Sequence, residues 1–227
     1  MWLDKIAFAQ WLKLREKFDI KCLVETGAGD GIGARFYAYY FPKVFSCELD
    51  VEMMRGARRK VLGKKNIFLF HQSSPTFLGR FRRFYERGKM ADTILFFLDA
   101  HWYKNWPVLD ELQALQGFGN CVIIIHDFKI GGLGYVSYNG QDLDLDFVRR
   151  DLMAVNPNFR LYHNDRETAC TYSKEEIAQV PGIVLDKETE WVLNYAWSSE
   201  AKKHRGMLYA IPGSLDSSFQ LKEVIWT

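Results

Sequence analysis

The sequence predicts an α/β chain, with a mostly parallel sheet of about seven strands covered on both faces by helices. Three observations carry this. Short runs such as Thr93–Leu98 (TILFFL) and Cys121–Ile125 (CVIII) are apolar at almost every position rather than alternately, as strands buried on both faces require. Stretches with helical spacing and helix-ending residues separate these runs, so strand and helix alternate along the chain. Residues 20–50 repeat that alternation around a glycine-rich turn: strand, turn, helix, strand, acid.

Taken in order, residues 2–18 place Leu3, Ala7, Trp11, Leu14 and Phe18 on one helical face, a cap for the strands. Cys22–Val24 is the first buried strand. After the glycines, a short helix over 34–40 stops before Pro42, because the residue preceding a proline avoids helical geometry. Val44–Cys47 is the second strand and ends on Glu48. Asp50 caps a helix over 51–62, with Gly63 beyond its end. Asn66–His71 is the third strand, and Pro75 suits the first turn of a helix running to about Gly88. The fourth strand, Thr93–Leu98, ends on Asp99-Ala100-His101-Trp102. Pro107 opens a helix in which Val108, Leu112 and Leu115 share a face, and the fifth strand, Cys121–Ile125, ends on His126-Asp127. A glycine- and tyrosine-rich loop over 131–140 precedes a helix over 142–155, a sixth strand at Phe159–Tyr162 and a last one at Leu208–Ile211. Residues 164–205 lack a clear rhythm, apart from a helix start in TYSKEEIAQV, and read as an insertion.

At 227 residues and 48% hydrophobic, the chain is expected to form one domain with a sizeable core. A net charge of +2 is too near neutral to imply a polyanionic partner by itself. No apolar run approaches the roughly 18 residues of a membrane helix, and Asp4 and Lys5 come too early for a secretory signal. Cys22, Cys47, Cys121 and Cys170 are widely spaced with no C-x-x-C pair, which fits reduced thiols and a cytoplasmic location.

The glycine turn carries the first chemical signal. Glycines at 27, 29, 31 and 33 let the backbone take positive φ and leave room for a ligand to lie against it. A carboxylate at the next strand's end, Glu48, is suited to accept hydrogen bonds from a ribose diol. Gly29, Gly31 and Ala34 also satisfy a loose dinucleotide pattern, so a nicotinamide-dependent oxidoreductase is one alternative. A nucleoside-binding protein without turnover is another. The fuller string Glu25-Thr26-Gly27-Ala28-Gly29-Asp30-Gly31 resembles the E-x-G-x-G-x-G motif of class I S-adenosylmethionine-dependent methyltransferases. That resemblance implies a Rossmann-like three-layer sandwich. It also implies a cofactor held along Glu25, Thr26, Gly27, Ala28, Gly29, Gly31 and Ile32, with Glu48 and Leu49 at the ribose and Glu25 near the methionine end.

In open α/β sheets, ligands bind beyond the carboxyl ends of the strands, and the polar candidates here all stand at such ends. Gln72-Ser73 follows the third strand where this family usually has an Asp-Ser pair near the adenine. A glutamine carbonyl still accepts from an exocyclic amine, and a plain polar turn before Pro75 is the alternative reading. Asp99-Ala100-His101-Trp102-Tyr103-Lys104 is similar to the fourth-strand motif of metal-dependent O-methyltransferases, the catechol and macrocin groups. The likeness implies that Asp99 holds a divalent cation beside the cofactor, and that His101, with Lys104 as alternate, removes the acceptor's hydroxyl proton. Asp127 matches the pair that completes the metal site. His126 departs from it, because Mg²⁺ prefers oxygen ligands while imidazole suits transition metals. The metal therefore stays open between Mg²⁺ and a transition ion, with His126 as a ligand or a neighbour of the site.

Tyr135, Tyr138 and Asn139 give the 131–140 loop the makings of a substrate lid. Two helices are basic, with Arg55, Arg58, Arg59 and Lys60 on one and Arg80, Arg82, Arg83 and Arg87 on the other. A solvated face is the usual meaning of such runs, and a nucleic-acid or phosphate-bearing substrate is the runner-up. No N-P-P-Y-type motif follows the fourth strand. The expected partner is thus a small-molecule hydroxyl acceptor, with no membrane, nucleic acid disfavoured, and homo-oligomerisation open.

Overall fold

The computed structural model describes residues 4–89, 93–101, 105–130, 140–164, 172–179 and 206–224. Helix α1 (Lys5–Lys17) is capped by Asp4, whose carboxylate accepts from the amides of Ile6 and Ala7, and it buries Ala7, Trp11 and Leu14 of the expected stripe. Strand β1 (Cys22–Thr26) is buried at all five positions. Helix α2 (Ile32–Tyr37) follows the glycine turn, beginning two residues earlier than the sequence suggests. Then come β2 (Lys43–Glu48), α3 (Val51–Lys60), β3 (Ile67–His71), α4 (Ser74–Phe84), β4 (Ile94–Leu98), α5 (Val108–Ala114) and β5 (Cys121–His126). After α4 the chain continues as one π-helical turn, Tyr85–Lys89. The described chain then continues with α6 (Leu145–Val155), β6 (Arg160–His163), α7 (Lys174–Gln179), β7 (Met207–Ile211) and β8 (Lys222–Glu223).

Caps explain several boundaries. Helix α6 begins at Leu145, three residues later than the sequence suggests, and Asp144 caps it by accepting from the Phe147 amide at 3.0 Å. Ser173 and Glu176 form a reciprocal capping box at the start of α7, each side chain satisfying the other's backbone amide.

The strands form one sheet in the order β3-β2-β1-β4-β5-β7-β6-β8. The first five are parallel, while β7 runs antiparallel to β5 and β6, and β8 antiparallel to β6. Side chains alternate between the faces, so β4 sends Leu95 and Phe97 towards Trp11 and Tyr37 of one helical layer. It sends Phe96 and Leu98 into the core shared with Phe77, Phe81, Leu112 and Leu152 of the other. Strand β8 escapes sequence reading because its two residues are charged and exposed. Loop residues 131–139, and 165–171 and 180–205 of the expected insertion, lie outside the described residues. No helix among the described residues is long and apolar enough to cross a membrane.

Candidate functional site

Parallel register brings the expected strand ends together. Thr26 lies between Cys47 of β2 and Leu98 of β4, so the chain leaves β1, β2 and β4 at one level. A cleft of about 160 Å³ opens there, lined by Gly27, Gly29, Glu48, Leu49, Gln72 and Asp99, with Cys47, Ser74, Ala100 and His101 completing its wall.

The glycine turn is built by close approach. The amides of Gly27 and Ala28 both donate to the Cys47 carbonyl, at 3.0 and 2.8 Å, which folds the turn back over β2. Gly27, Gly29 and Gly31 all have positive φ, at 81°, 52° and 80°. A Cβ on Gly27 would lie 2.9 Å from the Asp99 carbonyl oxygen, and one on Gly31 would lie 2.7 Å from Ala57 Cα. A Cβ on Gly29 would meet no protein atom within 4 Å. Gly27 and Gly31 therefore serve the fold, and Gly29 faces open space in the cleft wall.

Glu48 reaches across this turn. Its Oε2 accepts from the Gly29 amide at 2.8 Å, and its Oε1 accepts from the amides of Leu49 and Asp50 at 2.7 and 2.8 Å. Three backbone donors hold the carboxylate in place; Oε1 takes two of them, and Oε2, with one, keeps a lone pair for a further donor. Glu25 is placed differently. Its carboxyl is buried in the sheet, accepts from the Ser46 hydroxyl at 2.5 Å, and is not among the residues lining the cleft. Burial pushes its pKa up to about 8, against the opposing pull of the Ser46 hydroxyl, with the Asp99 charge adding to the rise. Thr26 accepts from the Asp99 amide through its hydroxyl at 3.2 Å and so ties β1 to the fourth strand's end. Ile32 opens α2 and packs into the core.

At the third strand's end, Gln72 lines the cleft, but its side-chain carbonyl accepts from Arg80 Nη1 at 2.9 Å. The Ser73 hydroxyl donates to Thr76, and the cleft's serine is Ser74.

Asp99, His126 and Asp127 converge. Their potential ligand atoms all lie within 4.8 Å of one another. His126 Nδ1 is 2.5 Å from Asp99 Oδ1 and 3.3 Å from Asp127 Oδ1. Burial works to raise the Asp99 pKa, but the charge and hydrogen bond of His126, helped by His101, prevail and hold it below the usual carboxylate range. Asp99 therefore accepts and Nδ1 donates. The other ring nitrogen, His126 Nε2, is buried without a hydrogen-bond partner. Asp127 turns the chain at φ 56°, a conformation that aspartate tolerates better than most residues. A cavity of about 10 Å³ adjoins this cluster and shares Asp99, Ala100 and His101 with the larger cleft. His101 is exposed and lines both. Lys104 lies outside the described residues.

Glu111 escaped the sequence reading. It is buried beside Thr26 and Ser74 and lines the small cavity; burial, more than the two hydroxyls can offset, raises its pKa to about 7. The signal was present, since an acid at 111 falls on the stripe of Val108, Leu112 and Leu115.

No family model and no curated protein matches this sequence. Similar solved structures include the methyltransferase domain of bacterial CtHen1-CN, at a TM-score of 0.51 and 12% identity, over 92% of this chain and 99% of that one. A SAM-dependent methyltransferase from Anabaena variabilis ATCC 29413 matches at a TM-score of 0.51 and 11% identity, over 98% and 86%. The plantazolicin methyltransferase BamL, in complex with a triazolic desmethylPZN analog and SAH, matches at 0.51 and 12%, over 93% and 85%. At such identities the likeness concerns architecture, and the conclusion is architectural: this chain has the Rossmann-like fold of S-adenosylmethionine-dependent class I methyltransferases.

Proposed function

We propose that this protein is an S-adenosylmethionine-dependent methyltransferase acting on a hydroxyl of a small molecule. The observation that carries the cofactor reading is the pairing of Gly29 with Glu48. The glycine whose side-chain position is open stands beside a carboxylate held by three amides, as a ribose diol over the turn would need. The fold likeness, including a methyltransferase complexed with SAH, favours this cofactor over a nicotinamide. The cleft, at about 160 Å³, is smaller than the roughly 300 Å³ at the low end of ligand pockets. Binding therefore entails displacing a wall, and Gln72, tied only to the exposed Arg80, is the wall most easily moved.

For the acceptor, the residues fit a divalent cation: two carboxylates and one imidazole offer atoms within 4.8 Å, in a buried corner next to the cleft. The imidazole moves the preference from Mg²⁺ towards Mn²⁺, Fe²⁺ or Zn²⁺. A bound ion supplies Lewis acidity that favours the deprotonated hydroxyl. His126 would have to present an unprotonated ring nitrogen to the ion, beside ionised Asp99 and Asp127, so ion affinity would rise with pH. His101, outside the cluster and exposed on the rim of both cavities, is placed to accept the hydroxyl proton. Positioning the acceptor against the methyl group supplies much of the remaining acceleration.

Calorimetry with S-adenosylmethionine, its demethylated product and NAD tests the cofactor. Binding of the first two and not the third is expected; binding of NAD alone would overturn the assignment. A screen of small hydroxyl compounds with the labelled methyl donor, with and without Mn²⁺, then tests the reaction.

A further inference from the structure

The quarter of the molecule around β3 differs in charge and exposure from the rest. Between residues 43 and 89 stand twelve Lys and Arg against four Asp and Glu, a local charge of +8 in a chain whose total is +2. Every exposed large hydrophobic side chain among the described residues except Tyr39 also lies in this region, from Leu49 to Phe84. Strand β3 is the outermost strand on this side of the sheet.

Between β2, β3 and α4 runs a groove of about 520 Å³, lined by Phe45, Phe68, Phe70, Phe77, Phe81 and Phe84. Phe68 and Phe70 are 41% and 37% exposed, and their ring planes lie within 19° and 16° of that of Phe45. The two rings thus both stack towards Phe45 on one face of an edge strand. Two residues of strand rise separate them by about 6.6 Å, nearly twice the roughly 3.4 Å per nucleotide of a stacked strand. That spacing suits bases splayed from an extended chain.

Cations frame these rings. Lys43 lines the groove at the start of β2, and Arg80 lines it near the cleft. Among the described residues, none of Lys43, Arg58, Arg59, Arg80 and Arg83 has an ion-pair partner, whereas Arg55 and Arg82 are neutralised by Glu52 and Glu86. The groove meets the cofactor cleft at Gln72, which lines both and accepts from Arg80.

We infer that this face binds single-stranded nucleic acid, with bases stacked on Phe68 and Phe70 and phosphates met by Lys43 and Arg80 in the groove and by Arg83, one turn along α4 from Arg80. Exposed rings beside a basic track are what such chains need, because every base offers a π-face and every link a charge. A duplex hides its base faces and would leave the rings unused. A second copy of this chain would set the groove cations Lys43 and Arg80 against cations of the same sign. The inference does not depend on the proposed methyl transfer.

The test is fluorescence anisotropy of the full chain with a labelled 15-nucleotide oligouridine, across a range of salt. Binding is expected, with a log–log salt slope near −2 for three contacts at about −0.7 each. Replacing both Phe68 and Phe70 by Ala should weaken it by about tenfold or more with little change in slope. Arg80→Gln with Arg83→Gln should flatten the slope by about 1.4. These exposed cations carry the test if the aromatic variant fails to fold, as judged by its circular dichroism melt. Several results would overturn the proposal: no binding at low salt, a slope untouched by the arginine changes, or equal affinity for a 15-base-pair duplex. Uridine monophosphate binding as tightly as the oligomer would instead assign a small-nucleotide pocket. Self-association through this face without oligouridine binding would assign it to a second copy.

Discussion

The three central glycines are predicted to separate folding from binding. All have positive φ, so alanine at any of them incurs about 1–2 kcal/mol of left-handed strain. At Gly31 the new Cβ would also lie 2.7 Å from Ala57 Cα and 2.8 Å from Ala57 Cβ, so α2 and α3 would have to part. At Gly27 it would lie 2.9 Å from the Asp99 carbonyl oxygen and 3.1 Å from Ala100 Cα, forcing the turn off β4. Overpacking of this kind adds about 1–3 kcal/mol. Gly27→Ala and Gly31→Ala should therefore lose about 2–5 kcal/mol, a large share of the roughly 5–15 kcal/mol that stabilises a typical domain. Gly29→Ala should lose only the strain term. Gly29→Val should stay folded despite added strain from its branch, yet bind no S-adenosylhomocysteine, because its side chain would project into the cleft. Urea unfolding of the alanine series and calorimetry of Gly29→Val provide the measurements. If Gly29→Ala were as destabilised as Gly31→Ala, or if Gly29→Val bound like the native chain, the division between structural and binding glycines would be wrong.

Glu48→Ala should weaken S-adenosylmethionine binding by about 1.5–3 kcal/mol, the worth of hydrogen bonds to a charged acceptor; an unchanged dissociation constant would take Glu48 out of the site. Glu25 and Glu111 have folded pKa values raised to about 8 and about 7 from 4.5, so the folded state holds their protons where the unfolded chain has released them. Stability from both is fully present below the unfolded value and is lost as pH rises through about 5 to 8. Urea midpoints should fall across that window, with Glu25→Gln shallower; a flat native profile would contradict the burial argument. Chelation should abolish turnover while sparing S-adenosylmethionine binding, and undiminished turnover would remove the ion from the mechanism. His101→Ala should slow methyl transfer by about 10²–10⁴-fold with cofactor affinity kept, and full activity would move the base elsewhere.

Much of this architecture is legible in the sequence because parallel strands buried on both faces leave an unmistakable pattern. TILFFL and CVIII have the composition of interior strands, and Ile94–Leu98 and Cys121–Ile125 are buried throughout. Polar residues that end such runs are brought level by the sheet's register, which is why Gly27, Glu48, Gln72, Asp99 and His126 can be read as neighbours before any coordinate is known. What the sequence withholds is direction within a level. Glu25 stands one residue before Thr26, and β-alternation decides that its carboxyl meets Ser46 inside the sheet. Whether Gln72 offers its carbonyl to a ligand or to Arg80 is likewise a matter of rotamer, two turns of helix away in sequence. The antiparallel end of the sheet was less visible, since β8 has only two charged residues and no periodicity to detect.

His126 shows how one substitution changes what a strand end can do. A carboxylate at this position would put three like charges of a cluster within 4.8 Å, which only a cation could hold together. The imidazole removes that necessity. Its Nδ1 donates to Asp99 at 2.5 Å and lies 3.3 Å from Asp127, so Asp99 has a donor without an ion, and a metal would compete with an existing hydrogen bond. Ion binding would then require the ring nitrogen that meets the ion to be unprotonated. The same imidazole leaves Nε2 buried and unpartnered, at a cost that a protein core rarely carries without return. Both features would favour a borderline transition ion over Mg²⁺ at this corner, which stands apart from the cleft. In the proposed mechanism that separation leaves His101, exposed on the shared rim, for the acceptor.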